Sequence, residues 1–229
     1  MIITIDGPAA SGKTTLSRML AKKLEFYYLS SGLLFRGLAY VLLKKYGYDQ
    51  EKLKHPKSSD LIDIVDPEHF VYQYDPINQE QLFFDGQNIT AHLKDPEISY
   101  AASIIAMNPT ARHQILKLQH RLAQNNNLIA EGRDLGSEVF PQAEVKFFLT
   151  ASPEVRAARF AKDQAAKGNI FSLPQALKEI QERDERDITR SVAPLRQPKD
   201  AIVIDDSNLT HDQAIAAMMP YIQSFLIPE

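Results

Sequence analysis

The sequence predicts an α/β fold in which a parallel β-sheet is flanked by helices. Short apolar segments typical of buried strands alternate along the chain with longer segments that have helical periodicity. The 229 residues, 44% hydrophobic and 24% charged, suffice for one large domain or a core with inserted subdomains. One aromatic-rich region interrupts the alternation, and it predicts an insert with a small antiparallel sheet.

Strands of the core are predicted at mostly apolar segments of three to five residues, which are too short for a helix. These segments are residues 2–5, 128–130, 145–149 and 201–204. The aromatic-rich segments 70–74 and 81–85 predict the antiparallel insert, and the Asp85-Gly86 pair beside them is a turn signal.

Helices are predicted between these strands from apolar residues spaced three and four apart. Pro96 and Pro109 stand at plausible first helical positions, and Gly47 and Gly168 at plausible ends. The predicted helices are residues 14–24, 33–45, 96–107, 109–124, 153–167, 174–189 and 211–225.

Composition excludes several classes of function. The 26 basic and 29 acidic residues give a net charge of −3, which disfavours a dedicated nucleic-acid-binding protein. Without cysteine, the chain has no disulfide framework, thiolate zinc site, iron–sulfur cluster or cysteine nucleophile. No apolar run approaches 18 residues and no basic leader precedes residue 2, so we expect a cytoplasmic protein that does not enter a membrane.

A phosphate-binding loop follows the first predicted strand. The eight residues from Gly7 to Thr14 match the motif G-x-x-x-x-G-K-[ST], between a strand and a helix as the motif requires. Its backbone N–H groups would surround phosphate oxygens, Lys13 would reach the β- and γ-phosphates, and the Thr14 hydroxyl would bind Mg²⁺. The motif predicts binding of a nucleoside triphosphate and does not identify a phosphoryl acceptor.

Arginines that could bind a second phosphate recur through the chain, because guanidinium groups hold phosphate bidentately. Arg133 and Asp134 follow the strand at 128–130, which places them at the same sheet edge as the phosphate loop. For Arg183, Asp187 and Arg190, helical periodicity alone favours a solvated face with a surface ion pair. Arg156 and Arg159 have the same ambiguity.

The six histidines show no metal-ligand spacing, and none is an evident catalytic base. An acceptor that is itself a phosphate monoester is already anionic and needs no deprotonation. Catalysis would then depend on alignment and charge neutralisation, which arginines supply.

Together these motifs resemble the bacterial cytidylate (CMP/dCMP) kinases, within the nucleoside monophosphate (NMP) kinase superfamily of P-loop kinases. The resemblance extends in order over essentially the whole chain. It is carried by residues 3–9 with Gly12-Lys13, Ser31-Gly32 with Arg36, residues 101–103 with Arg112, residues 132–136, residues 139–141, and residues 183–195.

The resemblance implies a P-loop NTPase-type core, an NMP-binding insert and a short helical lid. The core would comprise residues 1–30, 101–152 and 191–229, the insert 31–100 and the lid 153–190. The implied reaction transfers the γ-phosphate of ATP to CMP or dCMP, giving ADP and CDP or dCDP, as an EC 2.7.4-type phosphotransferase of pyrimidine nucleotide metabolism. The implied cofactor is Mg²⁺ with ATP, and we expect a monomer without nucleic-acid or membrane partners.

The resemblance also implies roles for individual residues. Ser103, Arg112 and Asp134 would contact the cytosine edge, and Arg183 and Asp187 the sugar. The acceptor phosphate would be held by Arg36, Arg133 and Arg190, with Ser31 nearby; Lys13, Arg133 and Arg190 would be catalytic. The implied ATP-binding residues are Gly7, Pro8, Ala9, Ala10, Ser11, Gly12, Lys13, Thr14, Thr15, Arg156 and Arg159.

Three positions depart from the family pattern. Ser30 replaces a frequent acidic residue, Phe160 follows Arg159 where the family often has paired arginines, and His120 replaces a common arginine. Two alternatives stand beside the main interpretation: another P-loop small-molecule kinase, for UMP, AMP, gluconate or shikimate, and a regulatory ATP-binding switch. The cytosine-contacting set disfavours the first, and the absence of an Asn-Lys-x-Asp motif disfavours only a GTP switch.

Overall fold

The computed structural model describes residues 1–166 and 168–226, which form two compact units. The first unit contains residues 1–25 and 129–226, apart from residue 167, and the second contains residues 26–128. The strands are β1 (Ile2–Asp6), β2 (Tyr27–Ser30), β3 (Phe70–Asp75), β4 (Gln79–Phe84), β5 (Gln87–Asn88), β6 (Leu128–Gly132), β7 (Val145–Thr150) and β8 (Ile202–Asp205).

Eight α-helices occur in the described residues, and several of them begin at a recognisable cap. Asp95, Asn108, Ser152 and Ser172 each accept a hydrogen bond from the first turn of the helix that follows. The helices are α1 (Lys13–Leu24), α2 (Ser31–Lys44), α3 (Ser58–Ile64), α4 (Pro96–Ile105), α5 (Pro109–Gln124), α6 (Pro153–Ala165), α7 (Leu173–Thr189) and α8 (His211–Leu226). No helix in the described ranges is long and apolar enough to cross a bilayer.

In the first unit, four strands of the larger sheet lie in the order β6-β1-β7-β8. Parallel pairing sets Ile3 opposite Val145 and Phe147 opposite Ile202. Residues of β1, β6 and β7 are almost all buried, as expected for parallel strands covered on both faces. The predicted α/β class is therefore confirmed.

The second unit contains the predicted antiparallel sheet, with strand order β3-β4-β5. Phe70 pairs with Phe84, and Asp85-Gly86 turns the chain from β4 into β5 with positive φ at both residues. The Tyr72 hydroxyl donates to the Tyr28 carbonyl and accepts from the Ser30 N–H, which joins β3 to β2.

Several predicted boundaries are wrong by one or two residues, and the elements β2, β5 and α3 were missed. β2 is four residues long and has no turn signal before it, and α3 is only seven residues long. The strand predicted at 128–130 continues to Gly132, so Arg133 is the first residue beyond it. Helix α2 begins at Ser31 rather than at residue 33. The last residue of the predicted helix 153–167 and the end of the predicted core, 227–229, lie outside the described residues.

Asp6, at the carboxyl end of β1, holds the turn that follows Arg133 and Asp134. Its carboxylate oxygens accept hydrogen bonds from the backbone N–H groups of Leu135 (3.0 Å) and Gly136 (2.7 Å). The side chain is 1% exposed, and this burial raises the pKa of Asp6 to about 6, against the two hydrogen bonds that lower it. The contact fixes where the chain leaves β6 and turns through the π-helical segment Leu135–Val139.

We expect Gly37→Ala to destabilise the second unit by about 1–3 kcal/mol, because the core there has no room for an added methyl group. A Cβ at Gly37, in α2, would lie 2.0 Å from Leu82 Cδ2 and 2.9 Å from Phe70 Cζ. The matched control is Gly32→Ala in the same helix, where the nearest atom would be 3.9 Å away. Urea denaturation of both variants checks the prediction, which fails if Gly37→Ala is as stable as the control.

We expect Asp6→Asn to change how stability depends on pH. The pKa of Asp6 is about 6 in the folded protein and 3.8 ordinarily, so between these values the folded protein binds more protons than the unfolded chain. The free energy of unfolding of the wild type should therefore fall as pH rises through this window, by on the order of 3 kcal/mol relative to Asp6→Asn. Denaturant unfolding of both proteins from about pH 4 to about pH 7 measures this. The prediction is contradicted if the free energy of unfolding of the wild type, relative to that of Asp6→Asn, stays constant or rises as the pH increases.

Candidate active site

The predicted phosphate loop forms a tight turn between β1 and α1. Gly7 and Gly12 have positive φ values of 152° and 88°, and a Cβ at Gly7 would lie 2.0 Å from the Leu149 carbonyl oxygen. Lys13 Nζ is buried and donates to the Pro8 carbonyl and to Ser11 Oγ, the latter at 3.0 Å. Burial, followed by the charge of Arg133, lowers the pKa of Lys13 well below its ordinary value. A phosphate anion beside this amine would favour its charged form.

Thr14, in the first turn of α1, donates from its hydroxyl to Glu131 Oε1 at 3.2 Å. Glu131 is 6% exposed and lies near the end of β6, the strand that pairs with β1. A hydroxyl and a carboxylate oxygen are hard oxygen donors of the kind that Mg²⁺ accepts alongside nucleotide phosphates. Thr14 and Glu131 therefore fit the predicted magnesium ion.

Arg133 and Arg190 are held by carboxylates near the same edge of the first unit. Arg133 Nε donates to Asp187 Oδ2 at 2.7 Å, and Arg190 Nη2 donates to Asp134 Oδ1 at 3.0 Å. Burial opposes the charges of Arg133 and Asp187, but their ion pair and hydrogen bond, together with other opposite charges nearby, outweigh it, so the pKa of Arg133 is raised and that of Asp187 is lowered. Both groups therefore stay ionised.

The interpretation of residues 183–190 as a solvated helix face is wrong for Asp187 and Arg190. The side chains of both are mostly buried, and Asp187 pairs with Arg133, which is 54 residues distant in the sequence. Arg183 is exposed, and its charge nevertheless helps to lower the pKa values of Lys13 and Asp187. Six predicted site residues of the first unit, Lys13, Arg133, Asp134, Arg183, Asp187 and Arg190, thus form one set of interacting charges.

Arg156 and Arg159, one turn apart on α6, are held by two different carboxylates. Arg156 pairs with Asp184 and donates to the Ala9 carbonyl at 3.0 Å. Arg159 Nη1 donates to Asp206 Oδ1 at 2.8 Å, and Asp206 Oδ2 would lie 3.0 Å from a Cβ at Gly12. Both arginines therefore lie beside the phosphate loop.

The second unit holds the remaining predicted residues on three helices. Ser31 begins α2 and is buried, and Arg36 Nε donates to the Gly32 carbonyl one turn earlier. Arg112, in α5, places its guanidinium carbon 5.6 Å from the centre of the Phe35 ring in α2. Ser103, in α4, donates to the Tyr100 carbonyl at 2.7 Å. This contact with Phe35 places Arg112 against α2, the helix that also carries Ser31 and Arg36.

Four carboxylates that support the site were not assigned from the sequence: Asp6, Glu131, Asp184 and Asp206. Three of them follow the strand-end rule that was applied to Arg133, because Asp6 and Glu131 lie at the ends of β1 and β6 and Asp206 directly follows β8. That rule, applied to every strand, would have found these three. Asp184 has no such signal and belongs to a charged helical segment.

Within the first unit, the arrangement combines a backbone anion-binding loop with a lysine and several arginines in a partly buried setting. Such a set can bind polyphosphate and neutralise charge that develops when a phosphoryl group is transferred. None of the described residues forms a cluster of three or more metal-binding side chains.

Comparison with known proteins agrees with this chemistry. The family model described as cytidylate kinase matches residues 3–224. A cytidylate kinase of Actinobacillus succinogenes is 41% identical over 226 residues, covering 98% of this chain and 99% of that protein. A cytidylate kinase of Vibrio cholerae is 40% identical over 228 residues, covering 99% and 97%.

A solved structure supports the fold independently. An uncharacterized protein from Eubacterium ventriosum superposes with a TM-score of 0.53 over 98% of this chain and 99% of its own, at 13% sequence identity. At that identity the likeness shows the fold alone. The family match over almost the whole sequence, with relatives at 40–41% identity and near-complete mutual coverage, shows that the chain belongs to the cytidylate kinase family.

Proposed function

We propose that the protein transfers the γ-phosphoryl group of MgATP to CMP or dCMP, giving ADP and CDP or dCDP. Its family makes it an ATP-dependent nucleotide kinase, a transferase. The observation that carries the proposal is the set of charges around Lys13. A complete phosphate loop lies in the same compact unit as Arg133, Arg183 and Arg190.

ATP would bind to the phosphate loop, residues 7–15, with Arg156 and Arg159 against its phosphates. The Gly7–Thr14 turn offers backbone N–H groups and the N-terminus of α1 to the phosphate oxygens. Thr14, supported by Glu131, would hold Mg²⁺, and this ion would neutralise charge on the β- and γ-phosphates. Lys13 would exchange its contacts with Pro8 and Ser11 for phosphate oxygens.

The acceptor nucleotide would be recognised through three parts of its structure. Its phosphate would contact Ser31, Arg36, Arg133 and Arg190, its sugar Arg183 and Asp187, and its cytosine Ser103, Arg112 and Asp134. The carboxylate of Asp134 and the guanidinium of Arg112 offer an acceptor and donors to the polar edge of the base. The buried Arg190–Asp134 pair would hold that carboxylate in one orientation.

The reaction would need no general base from the protein, because the acceptor oxygen of a phosphate monoester is already anionic. The residues instead align the two phosphates and stabilise the charge of the in-line transition state, with Lys13, Arg133 and Arg190 in that role. Closure of a lid formed by residues 153–190 would exclude water, which would otherwise hydrolyse ATP.

We expect a cytoplasmic monomer with ATP and CMP or dCMP as its partners and no nucleic-acid or membrane partner. The division into core, insert and lid, with the boundaries predicted from the sequence, is part of the same proposal.

We expect acceptor-dependent ADP formation from MgATP to be rapid with CMP and dCMP and slow with UMP and AMP. The proposed contacts recognise a cytosine edge, and a site that pairs with a specific polar group rejects analogues that leave its own groups unpaired. Coupled ADP production with each monophosphate, offered separately, measures this. Equal turnover with UMP or AMP would retain the kinase and discard the roles of Ser103, Arg112 and Asp134. Turnover with no monophosphate would favour an ATP-binding switch.

We expect Lys13→Met to lower kcat by about 10²–10³-fold or more, because it removes a buried positive charge aimed at the transferring phosphoryl group. Circular dichroism and thermal unfolding should show that the fold is preserved. The matched control is Lys23→Met, at an exposed position of the same helix, which should retain the wild-type rate. A near-normal rate for Lys13→Met would exclude the proposed mechanism.

A further inference from the structure

Asp184 is a buried carboxylate in α7 that contacts the tip of the phosphate loop. One carboxylate oxygen, Oδ1, accepts a hydrogen bond from the Ala9 backbone N–H at 2.7 Å. The other oxygen accepts from Arg156 Nη1, and the same nitrogen donates to the Ala9 carbonyl at 3.0 Å. The residue Ala9 is therefore bound through its N–H by Asp184 and through its C=O by Arg156.

Besides the ion pair, an apolar cluster holds α6 and α7 against the loop. Ala9 packs with Ala157 of α6 and with Ala176 and Ile180 of α7. Asp184 and Arg156 are each only 8% exposed, and burying two charges gains little stability compared with apolar residues of the same size. What the pair adds is orientation, since it fixes the guanidinium plane of Arg156 relative to the loop.

The same helix also holds Arg133 through Asp187, one turn beyond Asp184. Residues three apart share a helix face, so α7 directs one carboxylate to the phosphate loop and the next to Arg133. Asp184 is close enough to Arg133 to contribute to the raised pKa of that guanidinium. One rigid helix thus sets the positions of Arg156 and Arg133 relative to Ala9.

We propose that Asp184 is a positioning residue for phosphoryl transfer: it fixes Arg156 against the tip of the phosphate loop, so that the guanidinium is already aligned when the phosphates are in place. This inference rests on the proposed function, which assigns Arg156 to ATP. Asp184 itself contacts no substrate in this scheme. It acts through Arg156 and through the backbone of Ala9.

The test is the steady-state kinetics of Asp184→Asn with MgATP and CMP. Asparagine retains one acceptor oxygen for the Ala9 N–H, but its neutral amide no longer holds the Arg156 guanidinium. We expect kcat to fall by about 10–100-fold, within the range for a misplaced catalytic group, while KM for CMP changes less than about threefold. The matched control is Glu185→Gln, which removes the same charge at an exposed neighbouring position of α7 and should keep the wild-type kcat.

A double-mutant cycle with Arg156→Lys separates positioning from a general loss of stability. If Asp184 acts through Arg156, adding Asp184→Asn to Arg156→Lys should cost far less than Asp184→Asn costs in the wild type. Fully additive losses, or a kcat for Asp184→Asn equal to that of Glu185→Gln, would overturn the inference while leaving the kinase activity established. A wild-type protein without CMP-dependent turnover would overturn the proposed function, and this inference with it.

If Asp184→Asn does not fold, Asp184→Glu decides the question. Glutamate keeps the charge of the pair but displaces the carboxylate by one methylene group. We expect a folded variant with an unfolding midpoint near that of the wild type and a lowered kcat. A folded Asp184→Glu protein with the wild-type kcat would overturn the inference.

Discussion

Ion pairs removed from water connect the functional parts of the first unit. Asp184 with Arg156, Asp187 with Arg133, and Asp134 with Arg190 each join α7, or the residue at its end, to a different segment of the chain. Breaking one such pair leaves an uncompensated charge in a poorly solvated place, which costs several kcal/mol. The positions of these arginines therefore depend on their carboxylates more than on the surrounding apolar contacts.

The buried ion pairs and the apolar core contribute to the structure in different ways. Apolar residues on β1, β6 and β7 provide the burial that drives folding, and they are indifferent to the direction of a guanidinium group. A bidentate or hydrogen-bonded ion pair is directional, so it can fix an arginine plane to within the tolerance that phosphoryl transfer requires. Arginine is suited to this use because it stays charged when buried and keeps further N–H donors for a substrate phosphate.

The sequence predicts the parts of the structure that depend on local signals. The phosphate loop, the core strands and the helices opened by Pro96 and Pro109 were found because a motif, an apolar run or a cap identifies each of them. β2 was missed because Tyr27–Ser30 is short and mixes aromatic, apolar and polar residues. The burial of Asp187 could not be predicted from periodicity, because its partner Arg133 is distant in the sequence and helical spacing does not reveal what faces a helix.

The same distinction between local and long-range features applies to the residues of the candidate site. Lys13 and Thr14 lie where the motif requires, whereas Glu131 and Asp206 become recognisable only when the strand-end rule is applied to β6 and β8, which belong to the same sheet as the loop-bearing strand β1. The four supporting carboxylates balance a group of cations that would otherwise repel one another near Lys13. A bound polyphosphate would add negative charge to the same group, so the carboxylates and the substrate would share the arginines. Each guanidinium has more N–H donors than its carboxylate uses. We therefore expect the arrangement to be stable both with and without a bound polyphosphate.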